Sequence, residues 1–205
     1  FSDVSFVTEP SYPDSLVHNQ EFFDRYMLQL SDYLYDASHQ QYLLNYSFYP
    51  EVITLDNPMG YYGSDEDTRQ RIAEFSQEIV QKSDNTIDFN NWDSFIVFHA
   101  GAGQESDIYQ QRPGLIWSTF LSRRNLQLGL DPENDDYQGI PADGTFVTDF
   151  VIAPEHQWQD YFPEDGSQLP YGNLGVLASG FGYALGLPNL SDNISDNGVS
   201  AGIGN

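Results

Sequence analysis

The chain has 205 residues, enough for one domain with a sizeable core, and its 40% hydrophobic and 15% aromatic content is that of a folded globular protein. Thirty-one acidic residues stand against seven basic ones, a formal charge of −24, which repels nucleic acid and anionic lipid and favours cations such as calcium. No apolar run reaches the roughly 18–20 residues of a membrane helix, and the lack of cysteine removes disulfides and thiolate chemistry.

Lys82 is the only lysine, and low lysine with abundant Asp suits a salty or extracellular setting. No secretory signal is visible. The opening FSDVSF reads as the middle of a strand and the closing AGIGN is no natural stop, so the expectation is a single domain over residues 1–205 taken from a longer chain. Residues 1–7 read as a short strand. Asn19 is placed to cap a helix running to about Ser38. Its apolar positions Phe22, Phe23, Tyr26, Met27, Leu30, Tyr33 and Leu34 follow helical spacing, which predicts core packing. Residues 42–49 (YLLNYSFY) alternate and stop at Pro50, which predicts a strand. A second helix is expected over about 65–82, with Ile72, Phe75, Ile79 and Val80 on one face and acids in its first turn. Residues 94–99 (SFIVFH) read as a short buried strand entering the Gly-rich loop Ala100–Gly103. Residues 145–153 (TFVTDFVIA) read as another strand. A last helix is expected from about Gly172 to Leu185, closed by Gly186 and Pro188. Strands mixed with helices in a non-repeating order predict an α+β (mixed α/β) fold.

The last helix carries the most informative stretch, ASGFGYALGLPNL at 178–190. The zinc-protease pattern H-E-x-x-H places two imidazoles one helical turn apart on one face, so both reach one metal. The intervening Glu activates the metal-bound water, and a third ligand follows a turn glycine. Laid on this chain, the first His position is Ser179, the Glu position is Gly180 and the second His position is Tyr183. The turn glycine is present as Gly186, and the third-ligand position falls on Asn189.

Segments along nearly the whole chain resemble the immune inhibitor A-type metallopeptidases, secreted bacterial zinc proteases. They are FSDVSF, FFDRYMLQLSDYLYDAS, LLNYSFYPEV, DFNNWDSFIVFHAGAGQESD, IWSTFLSR, LGVLASGFGYALGLPNL and GIGN, in order. The resemblance implies a zincin-like fold, a twisted mixed sheet packed on a backing helix and a vestigial active-site helix, in a secreted or cell-surface protein. In that family the motif reads like A-H-E-F-G-H-x-L-G-L-P-D-L. This chain keeps Phe181, Gly182, Leu185, Gly186, Leu187, Pro188 and Leu190, and departs at every position that does the chemistry. The family continues past Gly-Asn to a methionine turn below the metal, whereas Met27 and Met59 lie far upstream here.

A serine hydroxyl does not replace imidazole at zinc, a phenol with a reference pKa near 10 is an uncommon ligand, and an Asn carbonyl suits calcium better. Gly180 offers no base. The expectation is therefore no zinc, with Ser179, Tyr183 and Asn189 suited to hydrogen-bond among themselves in the vacated space. The four histidines, His18, His39, His99 and His156, offer no i, i+4 pair. His18 and His39 lie about 30 Å apart across the first helix. His99 is expected to be a hydrogen-bonded structural residue under a loop, and His156 to face solvent. Calcium is the more credible cofactor, with three oxygen-rich loops as candidates: Asp131, Asn134 and Asp136; Asp192 and Asp196; and Glu105 with Asp107. None follows EF-hand spacing. Ser179 does not sit in a nucleophile-elbow G-x-S-x-G, since Leu177 stands where the first glycine would be, and the Gly-rich loop at 100–103 lacks the Lys-Ser/Thr ending of a phosphate loop.

Three functions follow from these readings. The first is a catalytically inactive metalloprotease-like domain that binds a protein partner or serves as a structural module of an exported protein. The second is an active secreted zinc endopeptidase with non-standard ligands. The third is a surface or filament assembly component.

Overall fold

The computed structural model describes residues 4–8, 16–162 and 167–188, and for 159–162 and 167–171 the backbone alone. Helix α1 spans Gln20–Ala37, and the Asn19 side chain caps it by accepting from the Phe22 N–H. Helices α2 (Met59–Tyr62) and α3 (Thr68–Ser83) precede strand β1 (Ile96–Ala102). Strand β2 (Thr119–Leu121) leads into α4 (Arg123–Leu130), which opens on a reciprocal Ser122–Asn125 cap. Strands β3 (Ile140–Ala142) and β4 (Thr145–Val147) form a hairpin. The chain then runs through β5 (Phe150–Phe162), β6 (Ser167–Tyr171) and α5 (Leu174–Ala184).

Strand β5 is the centre of the sheet. Its first part pairs in parallel with β1, Ile96 opposite Val151, and antiparallel with β2, Phe120 opposite Val151. Its second part pairs antiparallel with β6. Side chains alternate across a strand, so β5 feeds two cores. Phe150 and Ile152 join Tyr62, Phe75, Val80, Leu126 and Ile140 on the α3–α4 face. Ala153 joins Met27, Leu30 and Leu34 of α1 and Leu177 and Phe181 of α5 on the other. Strand β1 repeats the division, with Val97 on the first face and Ile96 and Phe98 on the second. Helices therefore cover both faces of a mixed sheet, a mixed α/β arrangement in agreement with the sequence.

Several elements differ from expectation. Residues 4–8 and 42–49 form no ladder. In the second segment Tyr42, Leu44, Tyr46 and Phe48 nevertheless pack against the α1–α5 core while Leu43 stays exposed, so strand-like alternation survives without strand hydrogen bonds. Tyr33 leaves the helical stripe and is half exposed. Helix α3 starts at Thr68, so the acids expected in its first turn precede it. The single strand expected over 145–153 is two, because Thr148 and Asp149 leave the ladder and turn the chain from the hairpin into β5. The hairpin turn places Asp143 at φ 49° and Gly144 at φ 75°, the two left-handed residues of a tight Asp-Gly turn matched to strand twist.

Candidate functional site

Helix α5 is fastened to β5 before it begins. The buried Asn173 amide donates to the carbonyl oxygens of Pro154 (2.7 Å) and Glu155 (3.3 Å) instead of capping its own helix. At the other end the Leu187 N–H bonds to the Gly182 carbonyl and the Gly186 N–H to that of Tyr183, with Gly186 at φ +84°. This paired stop satisfies the terminal carbonyls. Two residues of the 178–190 stretch thus have structural work: Phe181 fills the core, and Gly186 turns the chain.

The chemistry-bearing positions are arranged differently. Ser179 is exposed. Tyr183, one turn later, is half buried with its ring 6.1 Å from that of Phe120. No hydrogen bond joins these two among the described residues, so the mutual bonding expected of them does not form; Asn189 lies outside the described residues. Gly180 is buried against the sheet, and a Cβ there would stand 2.6 Å from Val151 Cγ1. Val151 is itself buried in β5 with a stiff branched side chain, so this close approach leaves no room for a carboxylate stem. A hydroxyl, a bare backbone and a phenol do not fit the donor set of a zinc site. Among the described residues no three His, Asp or Glu side chains gather in a metal-holding group.

The candidate calcium loops are laced by their own bonds. Asn134 Nδ2 donates to Asp131 Oδ2 at 2.9 Å, the Asp136 N–H to Asn134 Oδ1 at 3.1 Å, and Gln127 Nε2 to the Asn134 carbonyl at 2.6 Å. Asp107 is buried and accepts from the backbone N–H groups of Gln111 (2.8 Å) and Arg112 (2.7 Å), shaping the loop that follows. Glu105 turns away from it, accepting from the Ser118 N–H and hydroxyl and from Gln157 Nε2. Asp192 and Asp196 lie outside the described residues.

A fully buried acidic residue on β5 was missed in the sequence. Glu155, on β5, is 0% exposed. Its Oε1 accepts from the Val7 N–H (2.6 Å) and lies 2.7 Å from His18 Nδ1, while Oε2 accepts from the Gly101 N–H (2.7 Å). The Gly101 N–H turns to this carboxylate where β1 bulges out of register with β5 between His99 and Ala102. One carboxylate therefore ties residues 7, 18 and 101 to the central strand. A buried carboxylate demands such partners. His18 stacks on Phe22 (3.8 Å), and His156 stacks on Trp158 (3.8 Å) with the His18 ring 6.2 Å away. His156 is thus buried, correcting the expectation that it faces solvent. Its spacing of two from Trp158 puts both rings on one face of a strand, and that was the available signal.

His99 is buried within β1, and the expected Gly-rich loop begins later than its sequence suggested, since Ala100–Ala102 continue the strand. Burial pushes the His99 imidazole pKa down, against weaker opposing effects from the Ala100 backbone, Glu105 and the Ile116 backbone. Nδ1 lies 2.9 Å from the Ala100 carbonyl, and Nε2 is buried. No protein-family model matches the chain, and no curated protein matches it either.

Proposed function

We propose that this chain is a metalloprotease-like domain that has kept a peptidase frame, lost its hydrolytic centre, and acts as a binding or structural module of an exported protein. The resemblance to the immune inhibitor A-type enzymes supplies the frame and the secreted setting. The observation that carries the loss is Gly180: where the family pattern has its general base, the backbone lies so close to β5 that an added Cβ would stand 2.6 Å from Val151 Cγ1. The glycine at this position is thus matched by a neighbour that crowds any side chain there. Ser179 and Tyr183, at the two imidazole positions, supply no borderline-soft nitrogen donor.

The test is elemental analysis of purified protein, together with casein and gelatin cleavage measured with and without a chelator. The expected result is no stoichiometric zinc and no chelator-sensitive cleavage. One zinc per chain, or proteolysis abolished by the chelator, overturns the reading in favour of an active enzyme with unexpected ligands.

A further inference from the structure

A second feature lies away from α5, where the β3–β4 hairpin meets the turn at Phe89–Asn91. A cavity of about 140 Å³ opens there, lined by Phe89, Trp92, Phe95 and Phe146 together with Asp93 and Asp149. Its base is braced. Asp143 at the hairpin tip accepts from the Phe89 N–H at 2.9 Å, and the Asn90 amide donates to the Asp143 carbonyl at 3.1 Å. Phe89 and Phe95 pack ring to ring at 5.1 Å, and Phe95 continues to Phe150 in the core at 6.0 Å. Two of the lining residues carry large rings that are open to solvent, Trp92 at 37% and Phe146 at 49% exposure.

The wall chemistry selects the occupant. Aromatic faces carry negative charge density and attract cations, Trp most strongly. The charged side chains of the wall are both carboxylates, and no lysine or arginine lines it. Asp149 is oriented by bonds from Ser94 Oγ (2.9 Å) and Thr148 Oγ1 (3.1 Å), which leave each oxygen a lone pair for another donor. Asp93 is exposed at the rim. The net charge of −24 raises the local concentration of cations over the whole surface. Drug-sized ligands and cofactors occupy pockets of roughly 300–1,000 Å³, so this one is scaled to a single side-chain head. We infer that the cavity between Trp92, Phe146, Asp93 and Asp149 receives a lysine ammonium or arginine guanidinium presented by a basic segment of a partner protein. This site stands independently of the fate of the α5 motif.

The test is isothermal titration of the full chain with blocked pentapeptides carrying one central Lys or Arg. The same peptide with norleucine, free glucose and tetramethylammonium are the comparison probes. The expected result is saturable binding of the Lys and Arg peptides that weakens with added salt. Trp92→Ala should lower the affinity about five- to thirtyfold. Asp93→Asn should also lower it and reduce the salt dependence, each variant retaining the wild-type unfolding midpoint. Equal binding of the norleucine peptide, tighter binding of glucose, or unchanged affinity in a folded Trp92→Ala variant overturns the inference. Absence of saturable binding at millimolar peptide overturns it as well. Tetramethylammonium binding as tightly as the peptides overturns the peptide as occupant.

Discussion

Two glycines on one helix separate the packing of α5 on β5 at Gly180 from ordinary helix energetics. Gly180→Ala and Gly182→Ala both replace a glycine within α5, and each should gain about 1 kcal/mol from intrinsic helix preference. That gain cancels when the variants are compared. What remains is the environment of the new methyl. At Gly182 it meets Leu187 Cδ1 at 3.4 Å, an ordinary contact. At Gly180 it meets Val151 Cγ1 at 2.6 Å, which forces the helix or the central strand to move. Overpacking of this kind costs about 1–3 kcal/mol. Gly182→Ala should therefore be the more stable variant by about 1–3 kcal/mol, or about 2–12 °C in unfolding midpoint for a chain of this size. Urea titration followed by circular dichroism gives the free energies. Adding Val151→Ala to each variant completes a cycle in which the coupling should favour the Gly180 pair. Equal stability of the two single variants would refute the packing argument, and with it the main structural support for a closed base position.

Other consequences are equally measurable. Glu155→Gln keeps the shape of the side chain but sets an NH2 against the backbone N–H of either Val7 or Gly101. Loss of one charge-assisted bond costs about 1.5–3 kcal/mol, read as a drop of about 3–12 °C in the unfolding midpoint; a shift under about 1 °C would show that the carboxylate is not the tie described. His99 has a folded-state pKa below its unfolded value of about 6.5, so the unfolded chain binds more protons as the pH falls. Its contribution is intact above about pH 6.5 and declines below it, by at most about 1.4 kcal/mol per pH unit. His99→Gln should flatten that part of the stability profile relative to wild type, and parallel profiles between pH 7 and 5 would contradict a neutral buried imidazole.

Local signals in the sequence carried local structure well. Asn19 and the spacing of Phe22, Phe23, Met27, Leu30 and Leu34 are sufficient for α1, because both the cap and the stripe lie within one helix. The stop at Gly186 was legible for the same reason. Strand β5 was not. Its Pro154-Glu155-His156-Gln157 run interrupts the apolar pattern, and the partners that let those residues be buried come from far upstream, His18 being 137 residues from Glu155. No window along the chain sees such a pairing. The hairpin was missed although Asp143-Gly144 announces it, because the apolar residues on either side of Thr148-Asp149 read as one run. At the site, the identities of Ser179, Gly180 and Tyr183 were plain from the motif. That Gly180 faces β5, and that Tyr183 turns to Phe120 rather than to Ser179, depends on how α5 sits on the sheet.

The central position of β5 also bears on how the chain reaches its fold during synthesis. Strand β1 emerges about 55 residues before the strand it pairs with. At translation rates of roughly 5–20 residues per second, it waits some 3–11 s with its hydrogen-bonding edge unfilled. Neither hydrophobic layer is complete until Phe150–Ala153 arrive, since each draws residues from that segment. A ribosome-bound chain that stops short of β5 should therefore be protease-sensitive and prone to bind chaperones, with resistance appearing abruptly once that strand clears the exit tunnel.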